Sequence, residues 1–159
     1  MLTQAERNAK IEAMRKLPEA LEAAVRGLTD QQLDTPYRDG GWTVRQVVHH
    51  LADSHMNAFI RMKLILTEDQ PALKTYDQER WAEQPDVVRT PIGSSLMMLR
   101  GLHERWCLLL DRIPDTAWSR VALHPERGRV TLESLLVTYS SHGEKHVGHI
   151  MGLRNARKW

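Results

Sequence analysis

The sequence predicts an all-α protein, a four-helix bundle formed by a single domain over residues 1–159. Four long segments repeat their apolar residues at helical spacing, and almost no segment alternates apolar and polar residues as a strand does. A length of 159 residues suits one domain with a sizeable core, and 42% hydrophobic with 26% charged residues is typical of a globular protein.

The first predicted helix runs from about Thr3 to Gly27. Its apolar stripe consists of Ile11, Met14, Leu17, Leu21 and Val25. Pro18 lies inside this segment and is expected to kink or split the helix, because proline lacks a backbone N–H and its ring crowds the preceding turn. Thr29 and Gln32 then form a capping box, which predicts one short helical turn.

The second long helix, from Thr43 to Thr67, has the clearest start. Thr43 and Gln46 form a capping box directly after the turn Asp39-Gly40-Gly41. A link of roughly 20 residues follows, and a link of that length is expected to contain a short helix, here near Tyr76–Ala82. This long link favours a crossover connection over simple up-and-down neighbours.

The third long helix is predicted to begin at Thr90-Pro91. Its inward residues are expected to be Leu96, Leu99, Leu102, Trp106, Leu109 and Ile113. Residues 119–124 and 129–130, joined by the turn at 125–128, are compatible with a small hairpin before the last helix. Thr131 caps that helix, which runs to about Leu153 or beyond.

The charge and hydropathy of the sequence argue against nucleic acid and membranes as partners. A net charge of +2 with dispersed basic residues argues against nucleic acid. The N-terminus lacks the apolar segment of a secretory signal, and no apolar run approaches the ~20 residues that cross a membrane. We therefore expect a cytoplasmic protein with a small-molecule substrate and no membrane partner. The single cysteine, Cys107, excludes a disulfide within the chain, and its apolar surroundings favour a buried, inert thiol.

Three histidines follow one flank of the last helix. His142, His146 and His149 are separated by four and three residues, so their side chains stack on one face. Imidazoles at i and i+4 can hold two positions of one metal ion, although two hydrogen-bonded core histidines are the alternative. The pattern HGEKH is not the HExxH motif of zinc proteases, because Glu144 points away from the pair and supplies no built-in base.

The second helix contains a further cluster in VVHHLADSH, formed by His49, His50, Asp53 and His55. On a helical wheel His55 lies among the core residues, His50 lies on a polar flank, and His49 lies on the opposite flank. The pattern alone favours His55 as the buried histidine. A site open to water and substrate would suit His50 better, and the helical pattern does not settle the choice.

Residues 34–68, DTPYRDGGWTVRQVVHHLADSHMNAFIRMKLILTE, closely resemble the YfiT group of the DinB/YfiT superfamily of bacterial metal-binding four-helix bundles. The similarity extends from about Leu17 to Leu153, through TYDQERWAE, LHERW and LHPERG. In that family one histidine of the second helix and an HxxxH pair on the last hold the metal, which implies His50, His142 and His146 here. The resemblance also implies a crossover bundle and often a homodimer.

We accordingly expect one divalent ion per chain, zinc or nickel before other metals, and metal-dependent hydrolysis by activated water. Asp53, one turn from His50, is the candidate catalytic base, while His55 is expected to be a core histidine or to support a ligand, and His149 to support a ligand. Two alternatives stay open. One is transfer of a small cellular thiol to an electrophile, as in bacillithiol S-transferases of the wider superfamily, and the other is a non-catalytic metal-binding stress protein.

Overall fold

The computed structural model describes residues 1–159 and confirms an all-α four-helix bundle with one small hairpin. The helices are α1 (Gln4–Val25), α2 (Asp30–Leu33), α3 (Val44–Thr67), α4 (Gln78–Ala82), α5 (Pro85–Val88), α6 (Gly93–Leu110) and α7 (Leu132–Arg157). Strands β1 (Val121–His124) and β2 (Gly128–Thr131) pair antiparallel. No helix combines the length and the apolar character that crossing a membrane requires.

Capping boxes start most helices where the sequence predicted them. The Thr29, Thr43 and Thr131 side chains each accept a hydrogen bond from the backbone N–H three residues later. Helix α6 differs, since Ile92 provides no side-chain cap and the helix begins at Gly93, slightly after the predicted Thr90-Pro91. The short helix α5 was not predicted.

Pro18 does not split α1, so of the two outcomes expected from the sequence, a kink or a split, the split is wrong. The helix is continuous from Gln4 to Val25 with Pro18 buried inside it. Because Pro18 has no N–H, the carbonyl of Met14 lacks its usual i+4 donor. The imidazole of His103 on α6 donates to that carbonyl instead, with Nδ1 2.7 Å from the oxygen. A bond from a neighbouring helix thus replaces the one that proline removes.

The four long helices form a ring in which α1 and α3 each pack against α6 and α7. Helices α1 and α3 therefore lie on one diagonal of the bundle, and α6 and α7 lie on the other. The long link that favoured a crossover joins α3 to its neighbour α6. The connections that cross the bundle are instead α1 to α3 and α6 to α7, the second of which contains the hairpin.

The core consists of two apolar clusters in succession along the bundle. One is built around Trp106, Met62 and Leu136, and the other around Leu21, Leu51 and Ile150. On α6 the inward face is centred on Leu99, His103, Trp106 and Leu110. Leu96, Leu102 and Leu109 are only partly buried, as is Ile113, which lies beyond the end of the helix. The observed inward face is rotated relative to the predicted one, because His103 and Cys107 occupy buried positions.

Candidate metal centre

The structure brings together His50, His142 and His146. One ring nitrogen of each lies within 4.8 Å of the others, and no carboxylate or thiol belongs to the group. The pair on α7 is one helical turn apart, and α3 packs against α7 so that His50 faces it. Nε2 of His50 lies 3.4 Å from Nε2 of His142. Two nitrogens bound to one tetrahedral zinc at about 2.0–2.1 Å would be separated by about 3.3–3.4 Å, so the spacing fits an ion.

The electrostatics of the cluster also suit a metal. Burial, together with smaller effects of neighbouring imidazoles or Lys145, lowers the pKa of His50 to about 3, of His142 to about 4 and of His146 to about 3. All three rings are therefore neutral at pH 7 and each offers a lone pair. Nδ1 of His146 is buried without a hydrogen-bond partner, so this ring is not committed to another group.

An unbroken chain of hydrogen bonds leads away from His142 through two further histidines. Nδ1 of His142 lies 3.2 Å from Nε2 of His55, and Nδ1 of His55 lies 2.8 Å from Nε2 of His103. Nδ1 of His103 lies 2.7 Å from the carbonyl oxygen of Met14. We call these three histidines and this carbonyl the imidazole chain.

The carbonyl end sets the direction of every bond in the imidazole chain, because a carbonyl oxygen only accepts. His103 must donate from Nδ1, so its Nε2 accepts from Nδ1–H of His55. His55 must then accept at Nε2 from Nδ1–H of His142. Burial lowers the pKa of all three rings, so each carries one proton. The lone pair of His142 is consequently on Nε2, the nitrogen that faces His50.

Sequence reasoning missed His103. Its position in the series Leu99, His103, Trp106 and Leu110 gives helical spacing on the buried face, and that signal was available. His55 is fully buried, as its position among the core residues predicted, and its Nε2 bonds to His142, one of the three clustered histidines.

The remaining histidines lie around the cluster or apart from it. His49 bonds to Ser95 Oγ at 2.7 Å and to the Thr90 carbonyl at 3.1 Å, away from the other imidazoles. His149 stacks on Tyr37 with ring centroids 4.4 Å apart, and its buried Nδ1 has no hydrogen-bond partner. It packs edge-on against His146, so it supports that ring by contact.

Asp53 lies one turn after His50 but lines a different pocket, which α4 and α5 help to form with Asp77 and Asp86. Burial, followed by the nearby Asp86 carboxylate, raises the pKa of Asp53 to about 6. The carboxyl group is therefore able to exchange a proton near neutral pH. It is not among the residues that the structure groups with the three histidines.

The cluster opens into a pocket of about 380 Å³, which also contacts Tyr37, Trp42 and Lys145. The Trp42 ring packs 4.5 Å from the His50 ring, and its Nε1–H donates to Glu79 at 2.9 Å, which fixes one wall. A second pocket of about 410 Å³ lies beside the first and shares His142 and Gln78 with it. Small molecules can thus approach the cluster from two adjoining spaces.

Comparison with known proteins places these features in a family. The family model described as DinB superfamily matches residues 13–150. A Geobacillus thermodenitrificans protein named "Putative metal-dependent hydrolase" is 50% identical over 151 residues, covering 94% of this chain and 84% of the relative. YfiT from Bacillus subtilis, which carries the same description, is 47% identical over 150 residues, with coverage of 94% and 84%.

A solved structure of YfiT from Bacillus subtilis superimposes on this chain with a TM-score of 0.97 at 44% identity. The match covers 100% of this chain and 91% of that protein, which is described as a probable metal-dependent hydrolase with an unusual four-helix bundle topology. The diagonal placement of α1 and α3 agrees with a bundle of uncommon connectivity.

Proposed function

The chain belongs to the DinB superfamily, and we propose that it is a metal-dependent hydrolase that acts on a small molecule. The observation that carries this proposal is a group of three neutral imidazoles, with no fourth ligating side chain, at the wall of an open pocket. Structural zinc sites are closed by four protein ligands, whereas catalytic sites keep a position for water or substrate. The descriptions of the relatives support the same activity.

In this proposal His50, His142 and His146 hold one divalent ion, zinc or nickel, since both metals accept imidazole ligands. Such an ion supplies Lewis acidity and lowers the pKa of water from about 15.7 towards about 7. Trp42 and the imidazole chain hold the ligand rings in place. The neutral ligands leave the positive charge of the ion available to the substrate.

Asp53 is the proposed catalytic base for hydrolysis. Its pKa of about 6 suits a group that accepts a proton at neutral pH. Its position in the pocket beside α4 and α5 requires that proton transfer run through water between that pocket and the histidine cluster. Asp53→Asn tests the role, because a base would be lost with no change in metal content.

Thiol transfer is the second candidate, because the same ion could hold a substrate thiolate. The thiol would have to come from the substrate. Cys107, the single cysteine, is buried, and burial raises its pKa to about 11. A cellular thiol as substrate and a second copy of this chain as partner in a homodimer are likewise proposals, supported by the family resemblance alone.

An activity panel tests the function. Zinc- and nickel-loaded protein, purified without a metal-affinity tag, is assayed with esters, amides and a thiol paired with an electrophile. We expect hydrolysis of an ester or amide, loss of that activity in His50→Ala and retention in His49→Ala, which removes a buried imidazole outside the cluster. If turnover occurred only when the thiol was present, the function would be thiol transfer instead of hydrolysis. Full metal loading without any turnover would leave a binding protein.

A further inference from the structure

The second pocket, beside the three-histidine cluster, contains a buried arginine. Arg61 is 9% exposed and lines this pocket together with His124, Arg127, Tyr139 and His142. Its Nη2 donates to the Lys74 carbonyl at 2.7 Å, and its Nη1 donates to the Tyr139 hydroxyl at 3.4 Å. Its Nε–H is buried and has no hydrogen-bond partner. The buried Nε–H donor of this guanidinium is therefore unused.

The other two buried arginines show how this protein otherwise compensates such a charge. Arg7 bonds to Asp115 at 2.7 Å and to Glu133 at 3.2 Å. Arg45 bonds to Asp34 at 2.6 Å and to Asp30 at 2.8 Å. Each has two carboxylate partners, and Arg61 has none. Because burying a charge without a counter-charge is costly, the missing carboxylate at Arg61 is a feature that needs a physical reason.

The pocket contains further hydrogen-bond donors beside Arg61, and these would also suit an anionic ligand. Nδ1 of His124 accepts a hydrogen bond from the Glu126 N–H at 3.3 Å, so the neutral ring carries its proton on Nε2 as a donor. The Tyr139 hydroxyl accepts from Arg61 and keeps its own hydrogen to donate. Arg127 adds a second positive charge at the exposed rim.

Two acidic side chains, Asp77 and Glu126, also line the pocket. The Asp77 carboxylate accepts from the Arg80 backbone N–H at 3.1 Å and pairs with the Arg80 side chain at 3.4 Å. Glu126 is exposed to solvent, where its charge is screened. The only buried charge in the pocket is therefore that of Arg61, and it is positive.

We propose that this pocket binds a carboxylate of the substrate through Arg61, with His124 and Tyr139 as further donors. The inference rests on the proposed function, because it places the reacting end of the same molecule at His50, His142 and His146. The Tyr139 ring, whose hydroxyl meets Arg61, lies 5.8 Å from the His142 ring between centroids. The substrate is thus a small molecule whose carboxylate lies about one tyrosine side chain away from the group that reacts.

The first test needs neither metal nor turnover. In metal-free protein labelled with ¹⁵N, the Arg61 Nε–H resonance is followed while sodium acetate is added, with sodium chloride at equal ionic strength as control. We expect a saturable shift with acetate that chloride does not produce. Arg61→Lys identifies the resonance and keeps the charge. An Arg61 signal that acetate leaves unmoved, or moves no more than chloride does, overturns the carboxylate site.

The second test uses zinc-loaded protein and a matched pair of metal-binding probes, the monohydroxamate of succinic acid and its uncharged terminal amide. The acid should bind roughly 10- to 100-fold more tightly than the amide, as a charge-assisted hydrogen bond contributes. Arg61→Gln should bring that ratio close to one, and Arg61→Lys should reduce it in part. Arg127→Gln is the control for general charge at the rim and should lower the ratio much less. Equal losses in Arg61→Gln and Arg127→Gln would contradict a specific site.

The two tests separate this inference from the proposed function. If acetate binds at Arg61 but zinc-loaded protein takes neither hydroxamate, the carboxylate site stands and the metal centre fails. If both hydroxamates bind with equal affinity, the metal centre stands and the carboxylate site fails.

Discussion

At the scale of single residues, the lone pair that His142 offers is determined by an atom on another helix. The Met14 carbonyl accepts from His103 because Pro18 cannot donate to it, and the imidazole chain carries that preference to His142. A proline that breaks a helix rule locally thus supplies the acceptor that fixes the tautomer of a proposed ligand. Groups that orient metal-bound histidines commonly change metal affinity about 10- to 100-fold when removed.

The imidazole chain can be tested with His103→Phe. This change removes the acceptor for Nδ1–H of His55 and frees both His55 and His142 to change tautomer. We expect zinc affinity to fall roughly tenfold, near the lower end of the range for residues behind a ligand. The ¹⁵N shifts of His142 in metal-free protein should change from one tautomer, protonated at Nδ1, to a mixture.

His49→Phe is the matched control, since it also removes a buried imidazole with two hydrogen bonds but lies outside the imidazole chain. It should leave zinc affinity and the His142 shifts unchanged. If zinc affinity and the His142 ¹⁵N shifts were unaltered in His103→Phe, the imidazole chain would not position His142.

At the scale of helices, the glycine between the paired histidines has a packing role. A Cβ added at Gly143 would lie 2.2 Å and 2.5 Å from the two methyl carbons of Leu17 and 2.9 Å from its Cγ. Leu17 is buried on α1, so it has little room to move away. Gly143 therefore allows α1 to approach α7 closely beside His142.

Gly143→Ala should consequently destabilise the protein by about 1–3 kcal/mol through overpacking, despite the higher helix propensity of alanine. Gly148→Ala and Gly152→Ala on the same helix meet no atom within 4 Å and should each stabilise it, by up to about 1 kcal/mol. Urea unfolding of the three variants measures the difference. A Gly143→Ala protein as stable as Gly148→Ala would show that Leu17 adjusts freely.

Some helix starts could be predicted from the sequence, and others could not. Capping boxes at Thr29, Thr43 and Thr131 are local, so the corresponding helix starts were predictable. The start of α6 was not, because no side chain caps it. Its inward face was also misjudged, since His103 is polar and was not counted with Leu99 and Trp106, although its spacing places it on the same buried face.

At the scale of the whole molecule, the imidazole chain crosses all four long helices. Met14 belongs to α1, His103 to α6, His55 to α3 and His142 to α7. These groups lie between the two apolar clusters of the core. The proposed ligands themselves come from α3 and α7, which are far apart in sequence, so an ion held by them would favour the folded state.

The way in which the long helices pack against one another could not be predicted from the sequence pattern. The spacing of His142 and His146 predicts a pair on one helix, but the choice between His50 and His55 depends on how α3 rotates against α7. The length of the link after α3 pointed to the wrong connection as the crossover, because neighbouring and diagonal helices can be joined by links of similar length. Family resemblance supplied the choice of His50 that periodicity left open.

We propose that His50, His142 and His146 hold one divalent ion per chain. The most direct measurement is the zinc or nickel content of protein purified without a metal-affinity tag, dialysed against each metal and then against metal-free buffer. We expect one ion per chain in the wild type and in His49→Ala, and loss of most of the metal in His50→Ala, His142→Ala and His146→Ala. His55→Ala should still bind, more weakly. A wild-type protein that retains no ion, or a His50→Ala protein that retains one with unchanged affinity, would contradict this ligand set.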